Sequence, residues 1–74
     1  MSEFDLVVLQ ENIAGSRLRV GDVGTILTVY GEGKAYEVEF VTLTGEVVAV
    51  ETLLPHQIRT VRASEVMAVR DMAV

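Results

Sequence analysis

The residues best suited to chemistry in this 74-residue chain are two glutamates, Glu37 and Glu39, in the run AYEVEFV. Their spacing of two places both carboxylates on one face of a strand. Paired carboxylates can transfer protons or bind a hard cation, and Glu46 or Glu51 across the next turn could join them. A solvated outer face that discourages aggregation is the simpler interpretation. We therefore predict no metal site and keep Glu37 and Glu39 as a candidate acidic patch for a basic partner.

The other candidate catalytic groups are isolated in the sequence. His56 follows Pro55 in a polar turn, where a single histidine is usually a surface residue. Ser2, Ser16 and Ser64 lie in no motif that would make a serine a nucleophile. Nothing brings together a nucleophile, a base and an oxyanion donor, so we predict no catalytic residues and no enzymatic activity.

The glycine motif GDVG, residues 21–24, raises the question of phosphate binding. A dinucleotide or nucleotide loop would follow a strand and begin a helix. Here β-branched residues follow, and neither GxGxxG nor GxxxxGK is present. The two glycines are better explained by a sharp turn into a bent strand, and we predict no cofactor.

The charge balance weighs against nucleic acid as a partner. The chain has 6 basic and 11 acidic residues, a net charge of −5, whereas binding to phosphates depends on Lys and Arg. Arg17, Arg19 and Lys34 are predicted on loops at one end, and with Tyr30 and Tyr36 they could form a small surface for single strands. Packing of Tyr36 inside the fold is favoured. Nucleic-acid binding is therefore the alternative function and not the main prediction.

Five short β-rich runs separated by turns predict an all-β fold. The third run alternates strictly, with Tyr36, Val38 and Phe40 on one face and glutamates on the other. The predicted strands are residues 4–11, 24–30, 35–41, 46–53 and 58–61.

No long amphipathic helix is available to cover a face of this sheet, so we expect it to curl into a small closed barrel. The predicted core residues are Val7, Leu9, Ile26, Val38 and Phe40.

The order RxGDVGTIxxVYxxGxxYEVEFVxxxG resembles a family of small bacterial proteins with an SH3-like barrel, known only as a domain of unknown function. The resemblance covers residues 4–62 and extends distantly to the KOW and nitrile-hydratase-β branches of SH3-like barrels, which share the GDxGxI motif. It implies a five-stranded SH3-like barrel over residues 1–62 and no established activity.

Residues 63–74 are predicted to be a C-terminal extension, a helix or a strand, that docks on its own barrel or on a partner. Half of all residues are apolar, which is rich for so small a domain. Val48 and Val50 are expected on the face opposite Val47 and Ala49, where one thin barrel cannot bury them. The tail adds further apolar residues, so the candidate interface residues are Val48, Val50, Val66, Met67, Val69 and Met72.

These features predict a non-enzymatic protein-interaction module that forms a homo-oligomer, with a symmetric dimer as the first expectation. The competing interpretation is a monomer whose tail covers Val48 and Val50 within one chain. Because the first residues lack a basic region followed by a long apolar run, and no apolar run is long enough for a bilayer, we expect a cytoplasmic protein without a membrane partner.

Overall fold

The computed structural model describes residues 1–72 as one antiparallel sheet of five strands in the order β4-β3-β2-β1-β5. A single 3-10 turn, Pro55–Gln57, joins the last two strands. The strands are β1 Leu6–Leu9, β2 Val23–Tyr30, β3 Ala35–Val41, β4 Val47–Leu53 and β5 Ile58–Thr60. The prediction of an all-β fold with five strands is confirmed.

The glycines of the GDVG motif act on the backbone and on packing. Gly21 has φ of 93°, a conformation that other residues rarely adopt. Gly24 lies in β2 beneath core side chains of β3. A Cβ atom at this position would come to 2.6 Å from Val38 Cγ1 and 2.8 Å from Phe40 Cε1. Gly24 therefore allows side chains of β3 to pack closely against β2, which is a role in packing and not in the sharp turn that the sequence predicted.

One face of the sheet forms the hydrophobic core. All five predicted core residues belong to it, and so does Tyr36. Leu18, from the long loop between β1 and β2, is buried as well, although nothing in its sequence surroundings predicts this. The buried cluster consists of Val7, Leu9, Leu18, Ile26, Tyr36, Val38, Phe40, Leu53 and Ile58.

The sheet curls around this core but is not closed. Its outermost strands, β4 and β5, are connected by only residues 54–57. Five flat strands would hold them roughly 19 Å apart at about 4.8 Å per spacing. A connection that contains a 3-10 turn spans only roughly 13 Å, so the sheet must bend.

No hydrogen-bonded pairing joins β4 to β5 among the described residues, and the prediction of a closed sheet is wrong at this position. The three residues of β5 all pair with β1. Because successive residues in a strand direct their hydrogen bonds to alternate edges, so short a strand has too few groups left for a second ladder.

A β-bulge changes the expected faces of β4. Phe40 pairs with Ala49 and Val41 with Val47, which leaves Val48 as the extra residue. Both Val48 and Ala49 pack against the core, whereas Val47 and Val50 are 58% and 44% exposed. The expectation that Val48 lies with Val50 on the outer face is therefore wrong.

The described part of the tail, residues 63–72, is neither helix nor strand. Its apolar residues form no continuous stripe, and so short a segment has little helical stability of its own. Met72 packs against the core cluster, so this part of the tail docks on its own chain. The last two residues of the predicted extension, 73 and 74, lie outside the described residues.

Candidate functional site

The outer edge of the sheet carries a group of exposed apolar side chains, here named the β4 patch: Val41, Leu43, Val47 and Val50. Val41 and Val47 face each other across β3 and β4, and Leu43, in the turn that joins these strands, is 91% exposed. Large aliphatic side chains that share one surface usually mark a contact site.

Strand β4 is also an unpaired edge. It pairs with β3 on one side, and within residues 1–72 no strand pairs with its other side. Seven residues make it a long edge, and Glu51 is its only charged residue. Edge strands of this kind readily accept another strand unless charge or covering protects them.

The predicted interface residues do not lie together on one surface. Val50 belongs to the β4 patch, while Val48 and Met72 pack against the core. Met67 and Val69 line the same cleft as Val41 and Leu43, so the tail extends the apolar surface. Val66 is exposed, and its place in an interface stays a prediction.

The two glutamates of β3 lie on the outer face without further carboxylates beside them. Glu37 has Thr28 and Thr52 as cross-strand neighbours, and Glu39 has Val50 on β4. Glu51 pairs with Val38 and so lies on the face of the sheet opposite to Glu37 and Glu39. It therefore does not join them as a third carboxylate. Among the described residues, no group of three or more acidic or histidine side chains could hold a metal ion.

Among residues 1–72, Tyr30 is the one polar side chain with a hydrogen bond to this pair. Its hydroxyl donates a hydrogen bond to Glu37 Oε2 at 3.2 Å. That hydrogen bond raises the pKa of Tyr30, because the neutral phenol is the donor. The glutamates thus form a small acidic strip on a solvated face.

The basic and aromatic residues proposed for nucleic acid are not brought together. Arg17 and Arg19 precede β2 and Lys34 follows it, so they lie at opposite ends of an eight-residue strand and not at one end as expected. Tyr36 is buried in the core. His56 is exposed in the 3-10 turn, where its backbone carbonyl accepts a hydrogen bond from Gln10.

A polar cluster that sequence reasoning missed holds the tail. Arg70 donates to both carboxylate oxygens of Asp22, with Nε–Oδ1 3.1 Å and Nη2–Oδ2 2.6 Å, and also to the Arg17 carbonyl at 2.7 Å. The Arg17 guanidinium in turn donates to the Met72 carbonyl at 2.6 Å. We name these four residues, Arg17, Asp22, Arg70 and Met72, the tail clamp.

The charge of Asp22 is stabilised inside the clamp. Partial burial opposes ionisation, but hydrogen bonds from the Arg70 side chain and the Arg19 backbone outweigh it, and the pKa of Asp22 lies below its usual value. The only signal in the sequence was an arginine among apolar tail residues, and its partner is 48 residues away.

A second ion pair fixes the start of the tail. Arg59 donates through Nη1 and Nη2 to the two Glu65 oxygens, at 2.8 and 2.6 Å. With the Arg62 backbone N–H, it lowers the pKa of Glu65 to about 2. Glu65 therefore closes a turn at the start of the tail through the Arg62 N–H.

Between the tail and the 42–45 turn lies an open cleft of about 460 Å³. Its apolar lining includes Val23, Val41, Leu43, Val48, Met67 and Met72. Asp22 and Arg70 of the tail clamp lie on its wall. The cleft thus combines apolar side chains with the fixed carboxylate of Asp22.

Comparisons with known proteins identify a family but no activity. No curated protein and no solved structure matches the chain. Within residues 1–72, no helix is long and apolar enough to cross a membrane. A family model described as "Domain of unknown function (DUF4926)" matches residues 3–60, which include all five strands and end before the tail. The chain belongs to this DUF4926 family.

Proposed function

We propose that this protein is a non-enzymatic protein-interaction module that associates with a second copy through strand β4. The observation that carries the proposal is the β4 patch on an unpaired edge strand. An edge and an apolar surface in the same place supply both the hydrogen bonds and the burial that strand addition needs.

A two-fold axis gives this contact a simple geometry. Antiparallel pairing of the two β4 strands about Val50 joins the sheets into one of ten strands. In that register Glu51 faces Ala49 of the second copy, so the two Glu51 carboxylates are not directly opposed. Val50 faces its own equivalent, which makes it the most sensitive position in the interface.

The fold and the setting complete the proposal. We assign the sheet to the SH3-like barrels, supported by its five antiparallel strands, its one-sided core and the short 3-10 link between β4 and β5. The bacterial origin that the resemblance implies and the cytoplasmic location expected from the sequence belong to the same proposal. The separation of Arg17 and Arg19 from Lys34 argues against the KOW-type nucleic-acid alternative.

Sedimentation velocity at micromolar concentration tests the dimer. We expect the wild-type protein to sediment as a species of about twice the chain mass of 8.1 kDa. The Val50→Lys and Val50→Glu variants each place like charges opposite one another at the two-fold axis and should sediment as monomers. An equal mixture of the two should dimerise again, because the opposed charges then attract.

Val20→Lys is the matched control, since Val20 is exposed outside the β4 patch and the charge added is the same. It should leave the dimer intact. A wild-type chain that stays at 8.1 kDa, or a Val50→Lys variant that dimerises as tightly as wild type, would contradict the proposal.

A further inference from the structure

We propose that the cleft beside the tail is a peptide-binding groove that the chain's own Arg70 and Met72 occupy in cis. Its ligand is an extended segment of another protein with an arginine two residues before a methionine or a similar aliphatic residue. This inference rests on the proposed interaction function but not on the dimer, whose backbone pairing lies along the free edge of β4; the two surfaces share only Val41 and Leu43.

The first argument is how the groove holds its present occupant. Asp22 receives the Arg70 guanidinium through two hydrogen bonds, an arrangement that suits arginine and not lysine. The Arg17 guanidinium binds the Met72 backbone carbonyl, a group that every peptide offers. The groove thus recognises one arginine side chain and one backbone carbonyl of its occupant.

The second argument is the apolar position next to the arginine. Met72 packs against the hydrophobic core cluster, and Leu18 lines the same cleft. Methionine is unbranched and fills irregular spaces, so other aliphatic side chains can replace it. Arginine and an aliphatic residue at a fixed spacing therefore form the recognised pattern.

The third argument is that the tail fills the groove incompletely. Val69 remains 87% exposed although it borders the cleft, and Met67 remains 69% exposed. About 460 Å³ stays open between the tail and the 42–45 turn. A partner segment with larger apolar side chains would bury surface that the tail leaves in water.

The fourth argument is charge. Asp22 keeps only 17% of its side chain exposed and lies in a chain with net charge −5. A cationic side chain placed against this carboxylate is attracted to it, and an anionic one is repelled. The charge of Asp22 therefore matches the arginine that the groove holds.

The cis occupant can be released, because an ion pair near the surface contributes little to stability. It nevertheless competes strongly, since a tethered segment acts at an effective concentration on the order of millimolar. The wild-type chain should therefore hide the groove from weak ligands, and loss of Arg70 should expose it.

The test is fluorescence anisotropy with a labelled peptide of residues 65–72, EVMAVRDM, added to full-length chains. We expect the Arg70→Ala chain to bind this peptide at least about tenfold more tightly than wild type, because its own tail no longer competes. A peptide with alanine in place of the arginine should bind at least about tenfold more weakly. The same loss should follow when Asp22→Asn is added to the Arg70→Ala chain.

Arg62→Ala is the charge-matched control, since Arg62 is exposed and its side chain lies outside the tail clamp. It should bind the peptide like wild type. The proposal is overturned if a folded Arg70→Ala chain binds no better than wild type, or if the alanine peptide binds equally well. It is also overturned if a wild-type dimer becomes monomeric in Arg70→Ala, because the occupant is then the tail of a second copy. A monomeric wild type with the expected peptide affinities would refute the β4 dimer and leave the groove supported.

Discussion

The sheet and the tail are held by different forces. Val7, Ile26 and Val38 are fully buried in the sheet, where many apolar contacts support one another. The tail is attached mainly by two ion pairs near the surface, Arg70–Asp22 and Arg59–Glu65, and among residues 63–72 only Met72 packs against the core cluster. We therefore expect the sheet to unfold as one unit and the tail to detach while the sheet stays folded.

The largest effect is expected in the core. Phe40→Ala removes a ring that is 3% exposed and should lower the free energy of unfolding by about 3–5 kcal/mol. Urea denaturation followed by circular dichroism measures the change. A loss below about 1 kcal/mol would mean that the sheet is not the cooperative unit described above.

A smaller effect is expected where the strands approach closely. Gly24→Ala places a Cβ atom within 2.6 Å of Val38 Cγ1, and overpacking of this kind costs about 1–3 kcal/mol. The same denaturation measures it. The double variant Gly24→Ala/Val38→Ala should lose less stability than the sum of the losses of the two single variants, because the Val38 methyl group that clashes is gone. Strict additivity would contradict the contact.

The smallest effect on global stability is expected at the tail clamp. Arg70→Ala should lower the free energy of unfolding by less than either core variant, because the Arg70–Asp22 pair lies near the surface. A nonspecific protease should nevertheless cleave the variant faster than wild type within residues 66–72, while the strands stay protected.

The clamp should also respond to acid. Because folding lowers the pKa of Asp22 below 3.8, the ion pair is fully formed above that pH and is lost as the pH falls through the folded pKa. An NMR titration of the Met72 methyl group should show release at low pH, and Asp22→Asn should abolish that transition. A Met72 signal that moves equally in both proteins would assign the change to another group.

Local patterns predicted the sheet well and long-range contacts poorly. The alternation of Tyr36, Val38 and Phe40 identified β3 and its buried face, because side chains alternate in any strand. Val48 was misplaced because a bulge adds one residue and shifts the alternation. No periodic signal exists for a bulge of this kind.

The tail clamp escaped prediction for a different reason. Asp22 and Arg70 are 48 residues apart, and only the folded sheet brings the start of β2 near the tail. Leu18 was missed in the same way, since a single leucine in a loop has no pattern. The openness between β4 and β5 depended on the three-residue length of β5, which strand propensity did not resolve.

The pairing of β1 with β5 determines how this molecule responds to mechanical force. Val7 lies opposite Thr60 and Leu9 opposite Ile58, so the start of β1 and the end of β5 are at the same end of the ladder. Tension applied to the two chain termini therefore loads the hydrogen bonds one after another and not all at once. Strand β5 therefore separates from β1 one hydrogen bond at a time, and we expect the molecule to unfold at low force even though its core is well packed.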